Sequence, residues 1–94
     1  MANWEPYDPT WLVALARDQH SAETWLPIAL AACTRCRRDS KAYVSFVDSR
    51  NANEPGADWQ FLTNLTLESP EEGFIVLDIL ENHRVGGVEF VDKI

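Results

Sequence analysis

The spacing of apolar positions divides the chain into a helical N-terminal part and a strand-forming remainder. From Pro9 to Gln19, Trp11, Leu12, Leu15 and Ala16 recur at helical spacing and make one apolar face. Asp8-Pro9 opens this helix: the carboxylate accepts from free first-turn N–H groups, and Pro has the backbone angle that the first helical position needs. His20 to Thr24 is a short break. Pro27 is tolerated only in a first turn, which selects Thr24 as the cap of a second helix beginning at Trp25. Its apolar face would carry Trp25, Ile28, Ala29, Ala32, Cys33 and Cys36. Arg35, Arg37 and Arg38 would crowd its last turn, where cations suit the helix dipole, and the spacing predicts an end near Ser40.

At Lys41 the period changes. In Lys41–Asp48, Ala42, Val44 and Phe46 share one face and Tyr43, Ser45 and Val47 the other. Ser49–Ala57 is a loop by composition, longer than a tight hairpin needs, and such loops in small domains often carry function. Asp58–Leu67 alternates: Trp59, Phe61, Thr63, Leu65 and Leu67 point one way, Gln60, Asn64 and Thr66 the other, with Leu62 as the exception. Glu68 to Gly73 is a turn. The stretch Gly73–Asp92 then reads as a β-hairpin with arms Phe74–Leu80 and Val85–Val91 and a turn at Glu81-Asn82-His83-Arg84. Ile75, Leu77 and Ile79 form one face of its first arm. Phe74, Val76 and Leu80 form the other, interrupted by Asp78, and a strand apolar on both faces is central or covered twice. Gly86-Gly87 marks a bulge or a close backbone approach. With Asn82-His83 as a two-residue turn, Asp78 lies opposite Gly87 and diagonal to Glu89, unless the bulge shifts the register. The expected architecture is α+β: one domain, residues 1–94, with two N-terminal helices on one face of a four-stranded antiparallel sheet (ααββββ), a meander being the simplest order.

Charge sharpens this picture. The net charge is −7, and residues 1–41 balance five acids against five bases. Residues 42–94 hold ten acids and three bases, so all of the net charge lies in the sheet half. Nucleic-acid binding is disfavoured, because a phosphate backbone needs a positive footprint. A basic protein partner is favoured by steering and complementarity, beside the plainer role of charge in keeping the chain soluble. No run of apolar residues is long enough to span a membrane, and the N-terminal residues lack the charged and apolar segments of a signal peptide, so a cytoplasmic location is expected.

Candidate chemistry is sparse. Cys33-Thr-Arg-Cys36 has the spacing of a redox or zinc pair. A reactive pair belongs at a helix N-terminus, where the dipole lowers the thiol pKa, and this one would lie near a C-terminus. Zinc needs two more ligands, and only His20 and His83 are present, far apart in sequence and without paired spacing. Two buried thiols facing the sheet are the plainer reading, and no cofactor is implied. Asp78 and Glu89 could form a carboxylate pair on the hairpin, but neither a nucleophile nor a further metal ligand accompanies them. Trp11, Trp25 and Trp59 fall on apolar faces; Trp4, in the N-terminal arm, is the one Trp placed to mark a contact surface.

From Ala42 to Val91 the chain resembles a family of small bacterial domains without a settled activity. In these a strand is followed by an I-x-L-D strand, a Gly-containing turn and a V-G-I-E strand. Ile75–Asp78 and Val85–Glu89 are the matching residues, and Asn82-His83 replaces the Asp-Gly of the turn. By type rather than by motif, an acidic chain of this size without catalytic signature is also similar to the immunity proteins of bacterial polymorphic toxins, including contact-dependent inhibition systems. That resemblance implies a non-enzymatic protein whose acidic and aromatic side chains occlude the active site of a basic toxin domain such as a nuclease. Glu54, Asp58, Glu71, Glu72, Asp78 and Glu89 are the contact candidates. Two alternatives are a zinc- or thiol-dependent protein using Cys33 and Cys36, and a homodimer formed through Phe74, Val76 and Leu80.

Overall fold

A computed structural model describes residues 3–94. In chain order its elements are β1 (Glu5–Pro6), α1 (Thr10–Gln19), α2 (Trp25–Ala31), β2 (Arg35–Ser40), β3 (Tyr43–Ser45), β4 (Phe61–Ser69), β5 (Gly73–Leu80) and β6 (Arg84–Phe90). The strands form one antiparallel sheet in the order β1-β2-β3-β6-β5-β4. Both helices cover one face. Leu12, Ala16, Leu26 and Leu30 pack there with Leu67, Ile75, Leu77, Ile79 and Val88 in a single core. Asp8 Oδ1 accepts from the Thr10 backbone N–H (3.0 Å) and hydroxyl (2.6 Å), which fixes the start of α1. The second helix begins at Trp25 after Thr24, as Pro27 requires, although the Thr24 side chain makes no capping bond.

The four-stranded sheet expected from periodicity is corrected to six strands. Both additional strands lie at one edge. The segment Arg35–Ser40, read from sequence as the last turns of the second helix, is extended. A helix continued through Arg-Cys-Arg-Arg-Asp-Ser would bury one apolar side chain and strand four charges beside it. As an edge strand the same residues bury Cys36 and let Arg38 pair with Glu5 and Arg37 with Asp39. Charged side chains and a two-residue neighbour ending in Pro6 are also what an open sheet edge favours. The order is not a meander. The link from β3 to β4 carries the chain past β6 and β5 to the far edge, which leaves the β5–β6 hairpin at the centre. That is the place its doubly apolar first arm calls for.

Two bulges set which side chains face which way. The hairpin turn is three residues, Glu81–His83, with Asn82 and His83 in the left-handed region (φ 65° and 55°). Leu80 therefore pairs with Arg84 rather than Glu81 with Arg84. Gly86 is then passed over as a bulge, and Asp78 pairs with Gly87. The longer turn and the bulge cancel, restoring the Asp78–Gly87 pairing that a two-residue turn alone would give. The second bulge, at Leu62, separates the pairs Phe61–Leu80 and Thr63–Ile79. It moves Phe61 to the face opposite Leu65 and Leu67, and Trp59 goes with it, against the simple alternation. Trp59 packs on that second face with Val47 and Leu80, beside Tyr43.

The outer edge of β4 is closed in part by α1. The Gln19 side chain donates to the Glu68 carbonyl (2.7 Å) and accepts from the Glu68 N–H (2.8 Å), as a neighbouring strand would. The His20 ring donates through Nε2 to the Thr66 carbonyl (2.6 Å).

The glycines of β6 are required by what lies over them. A Cβ on Gly86 would fall 2.7 Å from the Trp59 ring, and one on Gly87 would overlap the Tyr43 hydroxyl and stand 2.8 Å from the Val44 carbonyl. Gly87→Ala should therefore destabilise the protein by about 1–3 kcal/mol through overpacking. Urea denaturation would show this as a lowered midpoint at unchanged slope.

Candidate functional site

The face of the sheet turned away from the helices carries a row of polar groups that runs across five strands. Its centre is Asp78 on β5. Tyr43 on β3 reaches over Gly87, which has no side chain to block it, and donates to Asp78 Oδ2 (2.5 Å). Asn64 on β4 pairs with Asp78 in the ladder and donates to Oδ1 (2.7 Å). Both carboxylate oxygens are thus held by fixed donors. Glu89 is half-buried on β6, where it pairs with Tyr43 on one side and Val76 on the other. At the β2 end the buried Ser45 hydroxyl donates to Asp39, which also receives Arg37 Nε (2.7 Å). The Arg37 guanidinium lies 5.5 Å from the Trp4 ring centre, so Trp4 is held against this end of the row.

Burial first, then the bond to Asp78 and the charges of Asp78, Asp39 and Glu89, push the Tyr43 phenol well above the usual tyrosine range. Asp78 and Glu89 do come together, diagonally across the β5–β6 ladder as the sequence suggests. Asp78 is held through both oxygens, whereas Glu89 makes no side-chain hydrogen bond among the described residues.

The remaining contact candidates lie elsewhere. Glu71 and Glu72 are in the β4–β5 turn, and Glu72 is tied to Lys93 (2.8 Å). Glu54 and Asp58 are in the loop at the other end of that hairpin, which the eight residues of β5 place about 25 Å away. The six therefore form three groups, not one patch. The loop itself is closely knit. Asn53 accepts from the Phe61 N–H (2.8 Å) and the Gln60 amide donates to the Glu54 carbonyl (2.6 Å). Asp39 belongs to the central row and is not legible in the sequence, because Arg35, Arg37 and Arg38 fit a helix end; Cys36, the one apolar residue in Arg35–Ser40, is the only local signal for a strand. Of the apolar residues suggested as a dimer face, Leu80 is covered by the Trp59 cluster, leaving Phe74 exposed and Val76 half-buried.

The two cysteines are buried on the other side of the sheet. Cys33 follows α2 and Cys36 sits on β2, so they are not one turn apart on a helix as the spacing suggested. Burial pushes the Cys33 thiol up to about 12, partly offset by Arg84, and burial also raises Cys36. Among the described residues no three of His, Cys, Asp and Glu are grouped as metal ligands.

Two outcomes follow from this geometry. At pH 8 a thiol with pKa near 12 is ionised to about one part in ten thousand, so Cys33 should react with a disulfide reagent far more slowly in the native protein than in urea. Comparable native and denatured labelling rates would contradict the burial described. For Tyr43, the folded state binds the phenolic proton more tightly than the unfolded state, whose pKa is about 10. Its stabilisation is therefore complete below about pH 10 and is lost as pH rises above that value. Tyr43→Phe should cost about 1–2 kcal/mol at pH 7 through the lost bond to Asp78, and should flatten the alkaline fall in stability measured by denaturation between about pH 9 and 11.

In comparisons with protein-family models, curated proteins and solved structures, this chain matched none.

Proposed function

We propose that this chain is a non-enzymatic protein-binding domain of the immunity-protein type, which neutralises a basic toxin domain in the cytoplasm by covering its active site. The observation that carries the reading is the state of the carboxylates. Among the described residues the salt bridges use Glu5, Asp39, Asp48 and Glu72. Among the described residues Glu54, Asp58, Glu71, Asp78 and Glu89 make no salt bridge, in a chain whose net charge is −7. Uncompensated acids on a rigid sheet face and its adjoining loops attract a basic surface, speed its approach and fix its orientation. Tyr43 and Asn64 hold Asp78 in place before any partner arrives, so little ordering accompanies binding there. No helix among the described residues is long and apolar enough to cross a membrane.

Affinity purification of the tagged protein from its own host, followed by mass spectrometry, tests this directly. One stoichiometric basic partner released by high salt is the expected result; recovery of the bait alone, or of copies of itself, overturns the reading. With that partner in hand, the quadruple variant Glu54→Lys, Asp58→Lys, Glu71→Lys, Glu89→Lys should associate at least about tenfold more slowly at low salt. An unchanged association rate would remove these residues from the interface.

A further inference from the structure

On the helical side of the molecule a groove of about 490 Å³ opens between α2 and the ends of β3 and β6. That volume lies within the usual range for small-molecule sites. Its walls are apolar: Trp25 and Ala29 from α2, Phe46 and Val85 from the sheet, with Cys33 on the floor. The Trp25 ring is stacked on His83 at 4.3 Å, which fixes one wall. At the lip Ile28 is 74% exposed, a large apolar side chain with nothing over it.

The rim has the opposite sign to the rest of the protein. Arg35 and Arg84 line it, and no Asp or Glu does. Among the described residues neither arginine makes a salt bridge, although acids outnumber bases by fifteen to eight in the chain. Two arginines without salt bridges, lining an otherwise apolar groove, complement an apolar body that ends in a carboxylate.

We propose that this groove is a binding site for a small amphipathic monocarboxylate, whose hydrocarbon part lies along Trp25, Ala29 and Val85 and whose carboxylate is held by Arg35 and Arg84. None of the residues of the acidic row lines this groove, and the site is independent of the partner proposed above.

The test uses decanoate, below its micelle concentration, with decanol as the uncharged control. Titrations of the full chain are followed by calorimetry and by amide chemical shifts. Decanoate should bind saturably at one site, shift the amides of Ala29, Cys33 and Val85, and bind more tightly than decanol. The double variant Arg35→Gln, Arg84→Gln changes two exposed side chains. It should weaken decanoate at least about tenfold and leave decanol unchanged, as expected for loss of charge-assisted hydrogen bonds. Ala29→Trp, which fills the groove, should abolish both. Absence of saturable binding, equal affinity for decanol, or an unaffected double variant would overturn the proposal. So would tighter binding of an acetylated leucine tripeptide with a free C-terminus, which would assign the groove to a peptide end.

Discussion

The close approach made possible by Gly86 and Gly87 is the constraint on which both faces of the sheet depend. Where β6 passes the centre of the sheet it has no side chains on two successive residues. Gly86 forms the bulge and lets the Trp59 ring lie on the backbone. Gly87 lets Tyr43 cross from β3 to β5 and reach Asp78. The first contact closes a small second core with Val47 and Leu80; the second fixes the carboxylate at the centre of the polar row. The bulge also corrects the register after a three-residue turn, so that Ile75, Leu77 and Ile79 stay under the helices. A one-residue slip would turn all three to the other face.

Much of this was legible in the sequence. The α1 face, the start of α2 at Trp25 and the central hairpin follow from apolar spacing and from Pro27, because those signals are local. The pairing of Asp78 with Gly87 was also reachable, though through two departures that cancel. Arg35–Ser40 was not legible as a strand. Three arginines near an expected helix end fit the helix dipole well, and the competing gain, pairing of Arg38 with Glu5 and Arg37 with Asp39, depends on tertiary neighbours. The position of Trp59 was missed for a related reason: a single bulged residue, Leu62, reverses the alternation on which the assignment rested. Of the candidate site, the Asp78–Glu89 pair was visible, while Asp39 and the groove beside α2 required the true end of that helix.

The molecule divides its charge between its faces. The face away from the helices is built on strands and carries acids: Asp78 is held by neutral donors, Asp39 by Ser45 and Arg37. The groove beside α2 is apolar with a cationic rim. Such an arrangement presents two surfaces of opposite preference within 94 residues, and it confines the thiols to the side where burial keeps them protonated.

The sheet order also has a consequence in time. The β4, β5 and β6 strands are joined by two tight turns and pair with sequence neighbours, so they can zip locally. The join between β3 and β6 brings Tyr43 against Glu89 across most of the second half of the chain, and closing that loop is entropically slower. The β2–β3 hairpin is itself local, and it joins the other strands only when this contact forms. Folding is therefore expected to run from the three-stranded meander outward to the N-terminal edge.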